Sequence, residues 1–188
     1  MWSEDRIQDY LKQNLKYKRY EHSLSVRDTA VKLAKIYNVD IEKAKIAGLV
    51  HDCAKNMNDE QLLNIALNHK IRIDEVCKES PQLIHGAVGA ILANEIMGIN
   101  DEEILNAIAY HTTGRKNMSM LDKIIYIADY IEPLRNFPGV EELRNIAFKD
   151  IDKALLKSFD NTIKFVIDRG QLLHFDTIEA RNYVLSIK

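Results

Sequence analysis

The chain has 188 residues, of which 46% are hydrophobic and 29% charged, and its formal net charge is −2. This size and composition suit one domain over residues 1–188, and the near-neutral charge argues against a nucleic-acid partner. No CxxC pair, apolar leader or run of ~18 apolar residues is present, which argues against a disulfide framework, a signal peptide or a membrane span, so we expect a soluble cytoplasmic protein.

Apolar residues recur at helical spacing along almost the whole chain, and only 7 glycines and 3 prolines interrupt the pattern. The sequence therefore predicts an all-α fold. In the second predicted helix a histidine continues the apolar face, which directs its side chain inward. That face comprises His22, Val26, Ala30, Leu33 and Tyr37.

The third predicted helix runs from Ile41 to about Cys53, with Asp40 as its N-cap. Small residues such as Ala47 share one face with His51. They allow neighbouring helices to pack closely around whatever His51 binds.

Two further helices are marked by the residues that begin or end them. Pro81 is expected at the first position of a helix with His85 in its first turn. The stretch from Asp101 is expected to end at His111, because Gly114 stops a helix there. Each of these helices therefore carries one histidine at an end.

The next predicted helix runs from about Met118 to Glu132 and carries Asp129. It ends before Pro133, because proline and the residue before it disfavour helical continuation. Two or three further helices are expected to follow residues 137–139.

Six side chains from five predicted helices are metal-ligand types. One histidine on an apolar face is usually an ordinary core residue, so it is the whole set of six that indicates a metal site. Buried unpaired polar groups cost about 1–3 kcal/mol each, and one divalent cation satisfies several of them. Imidazole and carboxylate ligands without paired thiolates favour iron, manganese, cobalt, nickel or zinc. The six are His22, His51, Asp52, His85, His111 and Asp129.

Short motifs surround these candidates: Arg-Tyr-Glu-His (19–22), Leu-Val-His-Asp-Cys-Ala-Lys (49–55), Leu-Ile-His-Gly (83–86), Tyr-His-Thr-Thr-Gly-Arg (110–115) and Ala-Asp-Tyr-Ile-Glu-Pro-Leu-Arg (128–135). The series resembles the HD-domain metal phosphohydrolases over nearly the whole chain. It is most similar to the YqeK-type branch, the bacterial symmetrical bis(5'-nucleosyl)-tetraphosphatases. The last two motifs are more specific to that branch than the His-Asp pair.

The resemblance implies an all-α HD-domain helical bundle with the metal site in its core. It also implies an iron-dependent hydrolase, with one or two ions, that binds nucleotides and cuts diadenosine tetraphosphate into two ADP. Two histidines match positions that hold a second metal in many HD proteins, and here they either do so or contact phosphate. The implied central ligands are His22, His51, Asp52 and Asp129, and the two further histidines are His85 and His111.

Phosphoanhydride hydrolysis by a metal-activated water would need a proton acceptor and cations for phosphate. Asp52 is a candidate for removing the proton. Lys55 lies on the same side if the helix continues that far, and is a second catalytic candidate. The candidates for contacting phosphate are Arg19, Lys55, His85, His111, Thr112 and Arg135, with Arg115 ranked below them.

The sequence is compatible with several alternatives. The chain suits another HD nucleotide phosphohydrolase, such as a nucleotidase or phosphodiesterase, an HD-type di-iron oxygenase, or a non-catalytic module. A homodimer is compatible with the sequence. His69 is expected on a solvated face, His174 either approaches the site or caps a turn, and Cys53 is expected to be a packed residue.

Overall fold

The computed structural model describes residues 1–187, and within that range it is helical with no strand, which confirms the all-α prediction. A short 3₁₀ helix, Pro81–Ile84, interrupts the series. In chain order the α-helices are α1 Glu4–Asn14, α2 Tyr17–Ile36, α3 Ile41–Val50, α4 Asp59–Asn68, α5 Glu75–Glu79, α6 His85–Glu95, α7 Glu102–Tyr110, α8 Met120–Ile131, α9 Val140–Ala147, α10 Ile151–Asp168 and α11 Phe175–Ser186.

Helix α3 begins where the sequence predicts and ends earlier. The Asp40 side chain accepts hydrogen bonds from two backbone N–H groups of the first turn. The helix ends at Val50, three residues before the predicted Cys53, and His51 is its C-cap. Beyond it the Cys53 N–H donates to the Val50 carbonyl at 2.9 Å, so the chain tightens into short turns.

The two later boundaries shift for similar local reasons. Pro81 opens the 3₁₀ helix, and His85 is the first residue of α6 rather than part of a helix begun by the proline. Helix α8 begins after Ser119, whose side chain forms a capping box with Asp122. It ends before Glu132, its C-cap.

Helices α2, α3, α7 and α8 pack around the main core, and α6 packs against α7. The predicted inner row of α2 is buried at Val26, Ala30 and Leu33. Tyr37 lies just beyond the helix and donates its hydroxyl hydrogen to the Ala147 carbonyl at 2.6 Å. The helical periodicity therefore predicts the core face of α2 correctly.

Two glycines allow the ligand-bearing helices to approach their neighbours. A Cβ at Gly48 would lie 3.0 Å from the Arg27 Cα of α2. A Cβ at Gly86 would lie 2.7 Å from the Ala109 carbonyl oxygen of α7, a contact that real Cβ atoms do not make. Glycine at these positions brings α3 against α2 and α6 against α7, which sets the spacing of the histidines at their ends.

Two further features complete the fold. A smaller apolar cluster lies under α4 and α5, separate from the main core. Helix α10 packs against α8, α9 and α11 and stands beside the end of α8 that carries Asp129. Over residues 1–187, no helix combines the length and the apolar character needed to cross a membrane.

Candidate metal centre

The four candidate histidines all direct Nδ1 at an oxygen that can only accept a hydrogen bond. For three of them the acceptor is the backbone carbonyl three residues earlier. Nδ1 therefore carries the proton, and Nε2 keeps its lone pair. The pairs are His22 with the Glu132 carboxylate (3.0 Å), His51 with Gly48 O (2.7 Å), His85 with Gln82 O (2.5 Å) and His111 with Ile108 O (2.7 Å).

Asp52 lies among the four Nε2 atoms. Its Oδ2 is 3.4 Å from His51 Nε2 and 3.6 Å from His22 Nε2. Its Oδ1 is 3.0 Å from His85 Nε2 and 3.5 Å from His111 Nε2. One carboxylate therefore joins two pairs of histidines, one pair on each of its oxygens.

Asp129 contacts the first of these pairs, His22 and His51. Its Oδ1 is 2.9 Å from His22 Nε2 and 3.9 Å from His51 Nε2. Nε2 of His22 and Nε2 of His51 are buried and have no hydrogen-bond partner among the described residues. Nitrogen lone pairs and carboxylate oxygens facing one another repel unless a cation lies between them.

Two overlapping groups of donor atoms fit such a cation. In each group one ligand atom per residue lies within 4.8 Å of the others. The donors are imidazole and carboxylate, which suit a divalent transition metal. The groups are His22, His51 and Asp129, and His51, Asp52 and His111.

The pKa shifts at the centre indicate that its buried carboxylates stabilise a positive charge beside them. Burial disfavours charged His51, but Asp52 and Asp129 outweigh burial and raise its pKa. Burial also opposes ionisation of Asp129, yet His22 and Arg135 hold its pKa below the usual range. Burial lowers the pKa of His85 to about 4, so its imidazole is neutral at pH 7.

Three cations border the centre. Arg19 donates from Nη1 to Asp52 Oδ2 at 2.7 Å. Arg135 donates from Nη2 to Asp129 Oδ1 at 2.5 Å and from Nε to the Asp129 carbonyl at 2.9 Å. Lys55 lies beyond the end of α3, so it reaches the site from a turn, with Nζ 3.4 Å from His85 Nδ1. Burial lowers the pKa of Lys55.

Two cavities open from the centre, and Arg19, Lys55 and Arg135 line both of them. The first, of about 850 Å³, we call the aromatic cavity; its wall includes Tyr126, Tyr130, Phe137, Asn161, Thr162 and Phe165. The second, of about 720 Å³, we call the lysine cavity; its wall includes Lys16, Tyr17, Lys18, Asn56 and Leu134.

Among residues 112–115, only Thr112 lines either cavity. Thr112 lines the aromatic cavity, and its Oγ1 is 3.2 Å from His111 Nε2. Thr113 is buried, donates to the Gly114 carbonyl and does not line that cavity. Arg115 is paired with Asp122 at 2.7 Å and lines neither cavity.

Histidines outside the centre have local partners. His69 is exposed. His174 caps α11, because its Nδ1 accepts from the Asp176 N–H at 3.2 Å. Its Nε2 therefore carries the proton and faces Asp74 at 3.5 Å, so the neighbouring trio with Cys77 is explained by hydrogen bonding. Cys53 is buried and donates to the Gly89 carbonyl, as expected for a packed residue.

Two parts of the site are not predicted from the sequence. Glu132 is only 1% exposed; it accepts from the His22 ring, and its Oε2 accepts from the Leu134 N–H at 2.6 Å. A carboxylate at a helix C-terminus opposes the helix dipole, so its position in the sequence was a usable indication. The α10 residues Asn161 and Thr162 gave no comparable indication.

Replacing Glu132 with glutamine is expected to weaken metal binding about 10- to 100-fold, the usual effect of removing a carboxylate that orients a ligating histidine. The neutral amide no longer holds the proton on His22 Nδ1 by charge. Metal titration of Glu132→Gln against the exposed Glu42→Gln control measures the effect. Equal metal affinity in the two variants would contradict the orienting role of Glu132.

Comparisons with known proteins agree with this geometry. Residues 19–134 match the model of the HD domain. The chain is 41% identical over 175 residues to a protein of Halalkalibacterium halodurans named symmetrical bis(5'-nucleosyl)-tetraphosphatase, covering 93% of both chains. A Bacillus subtilis protein of the same name is 42% identical, with 94% of each chain covered. A crystal structure of a Clostridium acetobutylicum protein, described as a predicted HD superfamily hydrolase involved in NAD metabolism, superposes with a TM-score of 0.98 at 61% identity over all of both chains.

Proposed function

Since the chain belongs to the HD domain family, we propose that it is a metal-dependent hydrolase that cleaves dinucleoside tetraphosphates symmetrically. With diadenosine tetraphosphate the products are two ADP. The observation that carries the proposal is the convergence of imidazole lone pairs and carboxylates beside three cations that line two cavities. The names of relatives that align over most of this chain support the same reaction.

We propose that the metal is iron, as one or two ions, with manganese, cobalt, nickel or zinc as substitutes. The nitrogen and oxygen donors support a metal of this kind. A bound ion supplies Lewis-acid polarisation of a phosphoryl oxygen and activation of water. The proposed ligands are His22, His51, Asp52 and Asp129, with His85 and His111 either completing a second site on Asp52 or contacting phosphate.

The chain's own cations are proposed to bind the tetraphosphate. A guanidinium has five N–H donors, so Arg19 and Arg135 retain donors beyond those used on the two aspartates. Lys55 contributes a positive charge in a partly buried position, where its attraction to phosphate is stronger than in water. These three cations orient the substrate across both cavities and balance its charge.

The hydrolysis forms one bond and breaks one. The water oxygen bonds to one of the two central phosphorus atoms, and the P–O bond to the bridging oxygen breaks, which releases one ADP. Asp52 is the proposed acceptor of the water's proton because its carboxylate lies among the histidines and lines the aromatic cavity. Lys55 and Arg135 are proposed to offset the negative charge that develops on the departing diphosphate.

The proposed partner is a free nucleotide rather than a nucleic acid, which agrees with a net charge of −2. The location in the cytoplasm and a homodimer remain proposals from the sequence. No feature of the site favours an oxygenase or a different nucleotide phosphohydrolase over the tetraphosphatase.

Product analysis tests the proposal directly. Protein loaded anaerobically with iron or manganese is incubated with diadenosine tetraphosphate, and the nucleotides are separated by chromatography. The expected result is ADP alone from the wild type and no turnover from His51→Ala. Formation of AMP and ATP would show asymmetric cleavage, and no turnover by the wild type would reject the proposed substrate. Oxygen consumption with an organic substrate would support the oxygenase alternative.

A further inference from the structure

We propose that the two cavities bind the two nucleoside halves of the substrate unequally: the aromatic cavity recognises one base, whereas the lysine cavity holds the other mainly by stacking on Tyr17 and Leu134. This inference rests on the proposed function. It identifies the residues that bind the second nucleoside and predicts that they discriminate weakly between bases.

A symmetrical cut places the central anhydride at the catalytic centre. Equal lengths of substrate, each a nucleoside diphosphate, must then extend to both sides. Two cavities leave the centre, and Arg19, Lys55 and Arg135 line both. A phosphate chain lying along these three cations therefore delivers one nucleoside to each cavity.

The aromatic cavity has the groups needed to recognise a base. Tyr130 and Phe137 meet edge to face with ring centroids 5.4 Å apart, and Phe165 presents a ring on α10. Asn161 and Thr162 add an amide and a hydroxyl to the same wall. Rings for stacking together with donors and acceptors for a base edge are the usual composition of a nucleotide site.

The lysine cavity is built differently. Tyr17 is the first residue of α2 and is 75% exposed, while Leu134 is 62% exposed. Lys16 and Lys18 flank the tyrosine and add positive charge for the outer phosphates. Exposed apolar groups beside a phosphate-binding surface suit a stacked base, and stacking tolerates any base because each has a flat apolar face.

Two substrates that differ by one nucleoside test the assignment. Diadenosine tetraphosphate has two nucleosides, whereas adenosine 5'-tetraphosphate has the same four phosphates and only one nucleoside. Tyr17→Ala is expected to raise KM for the first about tenfold, the usual loss for one stacked base, and to change KM for the second less than twofold. Phe165→Ala is expected to raise KM for both, because the single adenosine occupies the aromatic cavity.

Phe175→Ala is the matched control. Phe175 is also an exposed aromatic residue at the first position of a helix, is 62% exposed and lines neither cavity. It should leave both KM values unchanged.

The outcomes separate the inference from the function on which it rests. An equal rise in both KM values for Tyr17→Ala, or a rise in neither, overturns the unequal-cavity proposal while the symmetrical activity stands. Wild-type protein that cleaves neither substrate overturns the proposed function and this inference with it. Replacement of one adenine by guanine should lower kcat/KM much less than replacement of both, and equal stepwise losses would also overturn the proposal.

Discussion

Asp52→Asn is expected to lower kcat/KM for diadenosine tetraphosphate by roughly 10³-fold or more. Within residues 1–187, its carboxylate is the one group in contact range of all four histidine Nε2 atoms. Asparagine removes the charge and places N–H donors against those lone pairs, so they are satisfied without a cation. A catalytic metal supplies several kcal/mol of transition-state stabilisation, and each ~1.4 kcal/mol is a factor of ten in rate.

The measurement combines kcat/KM with the metal content of the purified variant. Asp9→Asn is the control, because Asp9 is exposed and pairs with Lys12 on the same helix at 3.6 Å. Circular dichroism should show the same helix content in both variants. An Asp52→Asn protein with a full metal complement and more than a tenth of wild-type activity would contradict the central role of this carboxylate.

Removal of the metal is expected to lower the melting temperature by about 5–10 °C. The folded centre holds buried imidazoles and carboxylates that repel without a cation, whereas the unfolded chain exposes them to water. An ion present at about 100 times its Kd stabilises a fold by about 2.7 kcal/mol. For a chain of this size each kcal/mol changes the melting temperature by about 2–4 °C.

Thermal unfolding of chelator-treated and metal-loaded protein measures this difference. His51→Ala should show little change on chelation, because it lacks a donor shared by both groups of ligand atoms. Identical melting temperatures for treated and loaded wild type, with metal loss verified by elemental analysis, would argue against an ion that bridges these helices.

Features set within one helical turn were predictable from the sequence. Asp40 caps α3 because its side chain reaches N–H groups two and three residues away. The inward direction of His22 follows from the apolar row that it continues on α2. Such features depend on spacing along one helix, which the sequence contains completely.

Features that depend on packing between distant segments were not predictable. The end of α3 at Val50 reflects the turn that carries Asp52 into the centre, and no glycine or proline marks it. The wall that α10 gives to the aromatic cavity depends on how this helix packs against α8. The division of the chain into one domain stays a prediction from its length.

The histidine Nδ1 contacts also bear on how quickly and in what order the centre is assembled. Three rings donate from Nδ1 to the carbonyl three residues earlier in the chain, namely those of His51, His85 and His111. These local hydrogen bonds orient the rings, so most of their side-chain entropy is lost before an ion binds. His22 is oriented instead by Glu132, a residue 110 positions away. Three rings of the centre are thus oriented by local backbone contacts and the fourth by tertiary structure, so His22 is expected to be the last of the four rings to be oriented as the chain folds.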